Sequence, residues 1–185
     1  MAQREFAGIY DEHIWRVYGF FAYWCNSRQD AEDLTQLTFE RAFRAWTRYD
    51  ESRSSIATWL LAIARNLLID HMRASKASRH QPLDEAVLDS VAASPDRPNV
   101  GLDPELERAL AELKPREREL VALRFGGDLT FQELALLTGL SVANVQQILS
   151  RSLRRMRSNL DGGGLQAAST RSSAATARSS SPLRT

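Results

Sequence analysis

Through the first 80 residues apolar positions recur every three or four places with no proline among them, the spacing of amphipathic helices sharing one core. The spacing predicts a helix from about Phe6 to Cys25. It ends at the polar stretch NSRQD, where Ser27 is placed to cap a second helix with Asp30 three residues on. That helix is expected to run to Trp46, with Ala31, Leu34, Thr38, Ala42 and Ala45 on one face and Asp33, Glu40, Arg41 and Arg44 on others. The segment TRYDESRSS is too polar to be core, and Ser55 opens a third helix. Its stripe is Ile56, Trp59, Leu60, Ile63 and Leu67, widened by Leu61, Leu68 and Met72. Trp15, Trp24 and Trp59 fall at helical spacing and are expected to be core aromatics.

From His80 to Pro104 the pattern breaks. Pro82, Pro95, Pro98 and Pro104 interrupt any helix, and Asp84, Glu85, Asp89, Asp96 and Asp103 make the stretch acidic, which reads as a linker. Periodicity returns at PELERALAEL. Pro115 then stands as the first residue of the helix PRERELVALRF, which Gly126 and Gly127 end. Thr130 and Glu133 form a capping box that opens a short helix to Thr138; Gly139 supplies a tight turn, and Ser141 caps the helix after it. Beyond Asp161 the chain is Gly, Ser, Thr and Ala with scattered Arg, and is expected to be disordered. The fold class is therefore all-α: two small helical domains, 1–80 and 104–160, joined by a linker at 81–103 and followed by a tail at 161–185.

Composition narrows the partners. Lys and Arg number 24 against 23 Asp and Glu, so the net charge of +1 cannot drive indiscriminate coating of nucleic acid, and any anionic partner must meet a local patch. No apolar run approaches the roughly 18 residues of a membrane span, so no membrane insertion is expected. The first residues, MAQREFAGIYDE, are charged where a secretory signal is apolar, and the lone Cys25 has no disulfide partner in the chain; both suit a reducing cytoplasm.

One patch stands out. Helix, glycine-bearing turn and helix over TFQELALLTGLSVANVQQILSRSLRRMR have the spacing of a DNA-binding helix-turn-helix. Val145, Ile148, Leu149, Ser152, Met156 and Leu160 make the inward stripe of the second helix, which turns Asn144, Gln147, Arg151, Arg154 and Arg155 outward. Amides and guanidinium groups suit base edges and phosphates, and no carboxylate intervenes until Asp161. The competing reading is a solvated helix whose arginines favour its C-terminal end. On the third helix Asn66, Asp70 and Arg73 lie at i, i+4 and i+7, flanked by Arg65, Lys76 and Arg79; this is a face for a groove or single strand, or simply an exposed face with an Asp70–Arg73 pair. Asp30, Glu32 and Asp33, or His71 beside Asp70, could be imagined as a metal or hydrolytic site. Metal-ligand spacing, a phosphate loop and a nucleophile setting are all missing, so no catalytic residue, metal or cofactor is expected.

DAEDLTQLTFERAFRAW, WLLAIARNLLIDHMR and ELKPRERELVALRFGGDLTFQELALLTGLSVANVQQILSRSLRRMR, in that order, resemble the extracytoplasmic-function (ECF) sigma factors of the sigma-70 family. The resemblance implies a dissociable specificity subunit of RNA polymerase, not itself an enzyme, with promoter DNA, the beta and beta-prime subunits and an anti-sigma factor as partners. Domain 1–80 would be sigma region 2, which binds core polymerase and recognises and melts the -10 element, and 104–160 sigma region 4. By analogy Asp30, Asp33, Leu34, Gln36, Leu37, Thr38 and Phe39 would dock on core polymerase. Arg48, Tyr49, Asp50 and Arg53 would hold a base flipped from the melted -10 element, and Arg65, Asn66, Asp70 and Arg73 would line it. Asn144, Gln146, Gln147, Ser150, Arg151, Arg154 and Arg155 would read the -35 element. Leu37, Ser54 and the Gln147–Ile148 pair depart from the residues usual in the family, so the promoter sequence is not inherited with the resemblance. The motif LKPREREL before a helix-turn-helix also occurs in output domains of response regulators, which leaves a stand-alone DNA-binding regulator as the alternative.

Overall fold

The computed structural model describes residues 2–25, 27–77 and 101–176, with side chains described over 6–25, 27–74 and 101–160. The described backbone is helical with no strand among those residues. Helix α1 spans Ala2–Ala22, α2 Arg28–Ala45 and α3 Ile56–Ala77, with a 3₁₀ turn at Trp46–Arg48. In the second half α4 is Pro104–Ala111, α5 Pro115–Val121, α6 Phe131–Thr138 and α7 Val142–Thr176, and α5 widens into a π-type segment at Ala122–Gly126. The linker positions 81–100 and Arg79 lie outside the described residues. Helix α7 is described as far as Thr176, and positions 177–185 of the tail lie outside the described residues.

The caps read from sequence are formed. The Ser27 hydroxyl accepts from Asp30 N at 3.3 Å, Ser55 from Thr58 N at 3.3 Å and Ser141 from Asn144 N at 3.2 Å. Thr130 and Glu133 close their box in both directions, at 3.3 and 2.9 Å. Gly139 ends α6 at φ 70°, the left-handed region that a side chain resists, and this sets the angle at which α7 leaves.

Helices α1, α2 and α3 bury Val17, Phe20, Phe21, Leu34, Phe39, Leu60, Leu61 and Leu67 between them. Each such side chain contributes about 1.5–3 kcal/mol by leaving water. Phe6 meets Phe39, Phe43 and Trp46 edge-on, with centroids at 6.5, 5.2 and 5.7 Å, and so closes one end of the bundle. The second half packs Leu120, Leu123, Leu129, Leu134, Val145 and Leu149. Trp24 is buried as expected, but Trp15 is not a core residue: it is 75% exposed, touching Tyr18 edge-on at 6.1 Å. Helical spacing offers two faces of α1, and the bundle uses the one bearing His13, Val17 and Phe20.

The two halves form one continuous apolar core. At their junction α1 crosses the π-type segment so closely that a Cβ on Gly19 would stand 2.5 Å from the carbonyl oxygen of Gly126, and one on Gly126 would stand 2.4 Å from that of Gly19. Glycine at both positions is what allows this approach.

Candidate nucleic-acid interface

Helix α7 is held against α5 and α6 by Val145, Leu149, Ser152 and Met156, all buried, with the Ser152 hydroxyl returned to Ile148 O at 2.9 Å. This fixes the opposite face in solvent. Asn144, Gln146, Gln147, Ser150, Arg151 and Arg154 are all exposed, and no acidic residue occurs between Glu133 and Asp161. Amide donors and acceptors precede guanidinium groups along one ridge, a set that can bond base edges and neutralise phosphates. Arg155 differs from the expectation that it points away from the core: it is half-buried and bonded to Glu117 of α5. Glu117 also accepts from the Lys114 backbone N at 2.9 Å, so one carboxylate caps α5 and anchors α7.

A second polar surface runs along α3 and the loop before it. Asn66, Asp70 and Arg73 are exposed on one side of α3. Asp70 pairs across to Arg41 of α2 at 3.7 Å, in place of the Arg73 pairing that the spacing suggests. Arg65 is engaged with Glu119 of α5. In the loop the Tyr49 ring stacks on Trp46 with centroids 5.2 Å apart and planes 9° off parallel, and lies 5.0 Å from Trp59. The Tyr49 hydroxyl donates to Ser54 O at 3.0 Å and pins the loop. Asp50 turns the chain by accepting from Ser52 N at 3.0 Å and Ser52 Oγ at 2.7 Å, bonds that hold its carboxyl below the usual range. Arg48 and Arg53 stand exposed on either side. Periodicity assigns Trp59 to the core stripe and is blind to this aromatic trio; aromatics at 46 and 49, three apart before a polar loop, are its signal in the sequence.

On α2 the residues expected to meet a partner divide. Asp33 and Gln36 are exposed, Asp30 and Leu37 half-buried, whereas Leu34, Thr38 and Phe39 are buried in the bundle, with the Thr38 hydroxyl bonded to Leu34 O at 2.8 Å. No group of His, Cys, Asp and Glu among the described residues is arranged to hold a metal, and no described helix is long and apolar enough to cross a membrane.

Other carboxylates tie the halves together, which the sequence does not suggest. Glu133 of α6 accepts from Ser55 Oγ at 2.7 Å and Thr58 Oγ1 at 3.0 Å. Burial alone would raise its carboxyl, but bonds from the Thr130 backbone, Ser55, Thr130 Oγ1 and Thr58 outweigh it, so the group sits below its ordinary value.

A helical bundle with a polar helix and an aromatic-backed loop, followed by a helix-turn-helix, has the architecture of a DNA-binding protein. Residues 9–78 match the family Sigma-70 region 2, and residues 109–158 match Sigma-70, region 4. The ECF RNA polymerase sigma factor RpoE of Cereibacter sphaeroides is 31% identical over 162 residues, covering 85% of this chain and 87% of its own. RNA polymerase sigma factor CarQ of Myxococcus xanthus is 31% identical over 156 residues, covering 84% and 89%. Among solved structures, the sigma factor RpoE in complex with the anti-sigma factor NepR from Bartonella quintana shares the fold with a TM-score of 0.67 at 20% identity, over 85% of this chain and 98% of that one. CnrH, in complex with the cytosolic domain of CnrY, gives 0.60 at 20% identity over 86% and 90%.

The chain belongs to the sigma-70 family and is an ECF RNA polymerase sigma factor, which directs promoter-specific initiation by core polymerase. Sigma factors are specificity subunits and not catalysts themselves. A stand-alone regulator is not favoured, because the first half matches region 2 as fully as the second matches region 4.

Proposed function

We propose that Asn144, Gln146, Gln147, Ser150, Arg151 and Arg154 on α7 enter the major groove of the -35 element, with Arg155 joining them once it leaves Glu117. The carboxylate-free, fully exposed ridge of α7 is the observation that carries this reading. The loop residues Arg48, Tyr49, Asp50 and Arg53 hold a base flipped from the -10 element beside the aromatic trio, and Arg65, Asn66, Asp70 and Arg73 line the melted strand. Asp30, Asp33, Gln36 and Leu37 dock α2 on the beta-prime subunit, while Leu34, Thr38 and Phe39 shape that helix from inside the core. Region 4 rests on the beta subunit.

In this reading residues 1–80 form region 2, 81–103 the linker, 104–160 region 4 and 161–185 a tail. The chain works in the cytoplasm as a dissociable subunit, and an anti-sigma factor holds it in reserve; the likeness to a sigma factor solved with one supports that partner. Transcription by purified core polymerase over a promoter library tests the whole. A defined promoter set used only when the chain is present is the expected result. Unaltered start sites, with DNA bound tightly in the absence of core, would restore the stand-alone regulator.

A further inference from the structure

Asp70 is the one carboxylate in the sequence between Glu51 and Asp84, a stretch that carries Arg53, Arg65, Arg73, Lys76 and Arg79, and α3 exposes it one turn from Asn66. A negative charge on a face assigned to a nucleic-acid strand repels phosphates unless something compensates it. Arg41 does so from α2, with its Nη1 3.7 Å from Asp70 Oδ2. That separation lets the charges compensate but is too long for a hydrogen bond, so the carboxylate keeps its lone pairs for another donor. Both side chains are half-exposed, and ion pairs in that setting contribute little to stability. Bracing α2 against α3 is therefore a poor reason for the pair.

We propose that Asp70 selects one base of the -10 element, accepting a hydrogen bond from the exocyclic amino group of a cytosine, and that Arg41 is its positioning residue. The inference rests on the assignment of α3 to that element and names a base that α3 reads. An ionised carboxylate accepts hydrogen bonds and donates none. On the major-groove edge guanine shows two acceptors, thymine an acceptor and a methyl group, and adenine an amino group beside the N7 acceptor. Cytosine alone presents an amino donor there with no acceptor next to it. This edge takes no part in base pairing, so it is readable before and after the strands part. Asn66 carries a donor and an acceptor and so lacks this discrimination. Arg41 acts through Asp70: it aims the carboxylate and offsets its repulsion of the passing phosphates.

A promoter library randomised across the -10 element, transcribed by core polymerase with the full-length chain, tests this. The wild type should favour cytosine over thymine and guanine at one position by about 5- to 150-fold, the range of one good base contact. Asp70→Asn, whose amide donates as well as accepts, should bring that position to within about twofold while preferences elsewhere in the element persist. Arg41→Ala should flatten the same position and Arg41→Lys should keep it. Arg41→Ala added to Asp70→Asn should change that position no further, because a residue acting through the carboxylate has no effect once the carboxylate is gone. A mere brace would lower the urea midpoint of Arg41→Ala without moving a base preference.

The absence of any position favouring cytosine, or a cytosine preference that survives Asp70→Asn, overturns the base contact. An Arg41→Ala chain with the wild-type profile overturns the positioning role. The assignment of α3 fails separately: Asn66→Ala would then melt promoter DNA as fast as the wild type. If Asn66→Ala melts slowly while the Asp70→Asn profile is unaltered, only the cytosine contact falls.

Discussion

Arg118 of α5 donates through Nε to the carbonyl oxygen of Tyr23 at 2.7 Å and through Nη2 to that of Trp24 at 3.2 Å, so a side chain from one half of the protein closes the carbonyl end of α1 in the other. Its guanidinium also lies 5.2 Å from the centre of the Trp24 ring. Carbonyls at a helix end have no partner within the helix, and a cation there also meets the negative end of the helix dipole.

Arg118→Ala should therefore destabilise the protein by about 2–4 kcal/mol, because it strands two carbonyls in a buried setting. Urea unfolding followed by circular dichroism measures this. A loss under about 0.5 kcal/mol would mean that water replaces the guanidinium without cost.

His13 makes stability depend on pH. Burial lowers its imidazole below 6.5, against the raising influence of nearby Glu12 and with the lowering influence of Arg16, and its Nδ1 has no hydrogen-bond partner among the described atoms. The unfolded chain then binds more protons than the folded one, so stability is full above about pH 6.5 and falls as pH drops below it. Melting temperatures measured between about pH 7.5 and 5.5 should decline in the wild type, and more gently in His13→Gln.

Arg151 and Arg155, one turn apart, should behave differently. Arg151 is exposed, so Arg151→Ala should leave stability within about 0.5 kcal/mol while weakening -35 binding by about 1–3 kcal/mol. Arg155→Ala also breaks the bond to Glu117 and should cost about 0.5–1.5 kcal/mol of stability, the partial exposure of the pair keeping the figure small. Anisotropy of labelled promoter DNA with holoenzyme, beside urea unfolding, separates the two. Equal stability losses would remove the distinction.

Asn66 is exposed on α3, clear of the bundle core. Asn66→Ala should slow open-complex formation by about 5- to 150-fold, the scale of one lost base contact of about 1–3 kcal/mol, with core affinity unchanged. Permanganate reactivity of unpaired thymines reads the first and a pull-down titration the second; equal defects in both would move Asn66 from the melted strand to the polymerase contact.

Almost every helix and its caps are legible in the amino-acid sequence, because those features are local. Ser27, Ser55, Thr130 with Glu133, Pro115, Gly139 and Ser141 act within three or four residues of themselves, and the inward stripe of α7 follows from one helical period. The exposed ridge from Asn144 to Arg154 is legible for the same reason. Tertiary structure alone decides that Trp15 faces solvent, that Phe39 belongs to the core, that Arg65 and Arg155 are already engaged, and that region 4 rests on region 2. The bonds behind that last arrangement join residues 54, 78 and 95 positions apart. Periodicity says which face of a helix is apolar, but the partner of a charged side chain depends on where distant elements cross, and here two glycines permit that crossing.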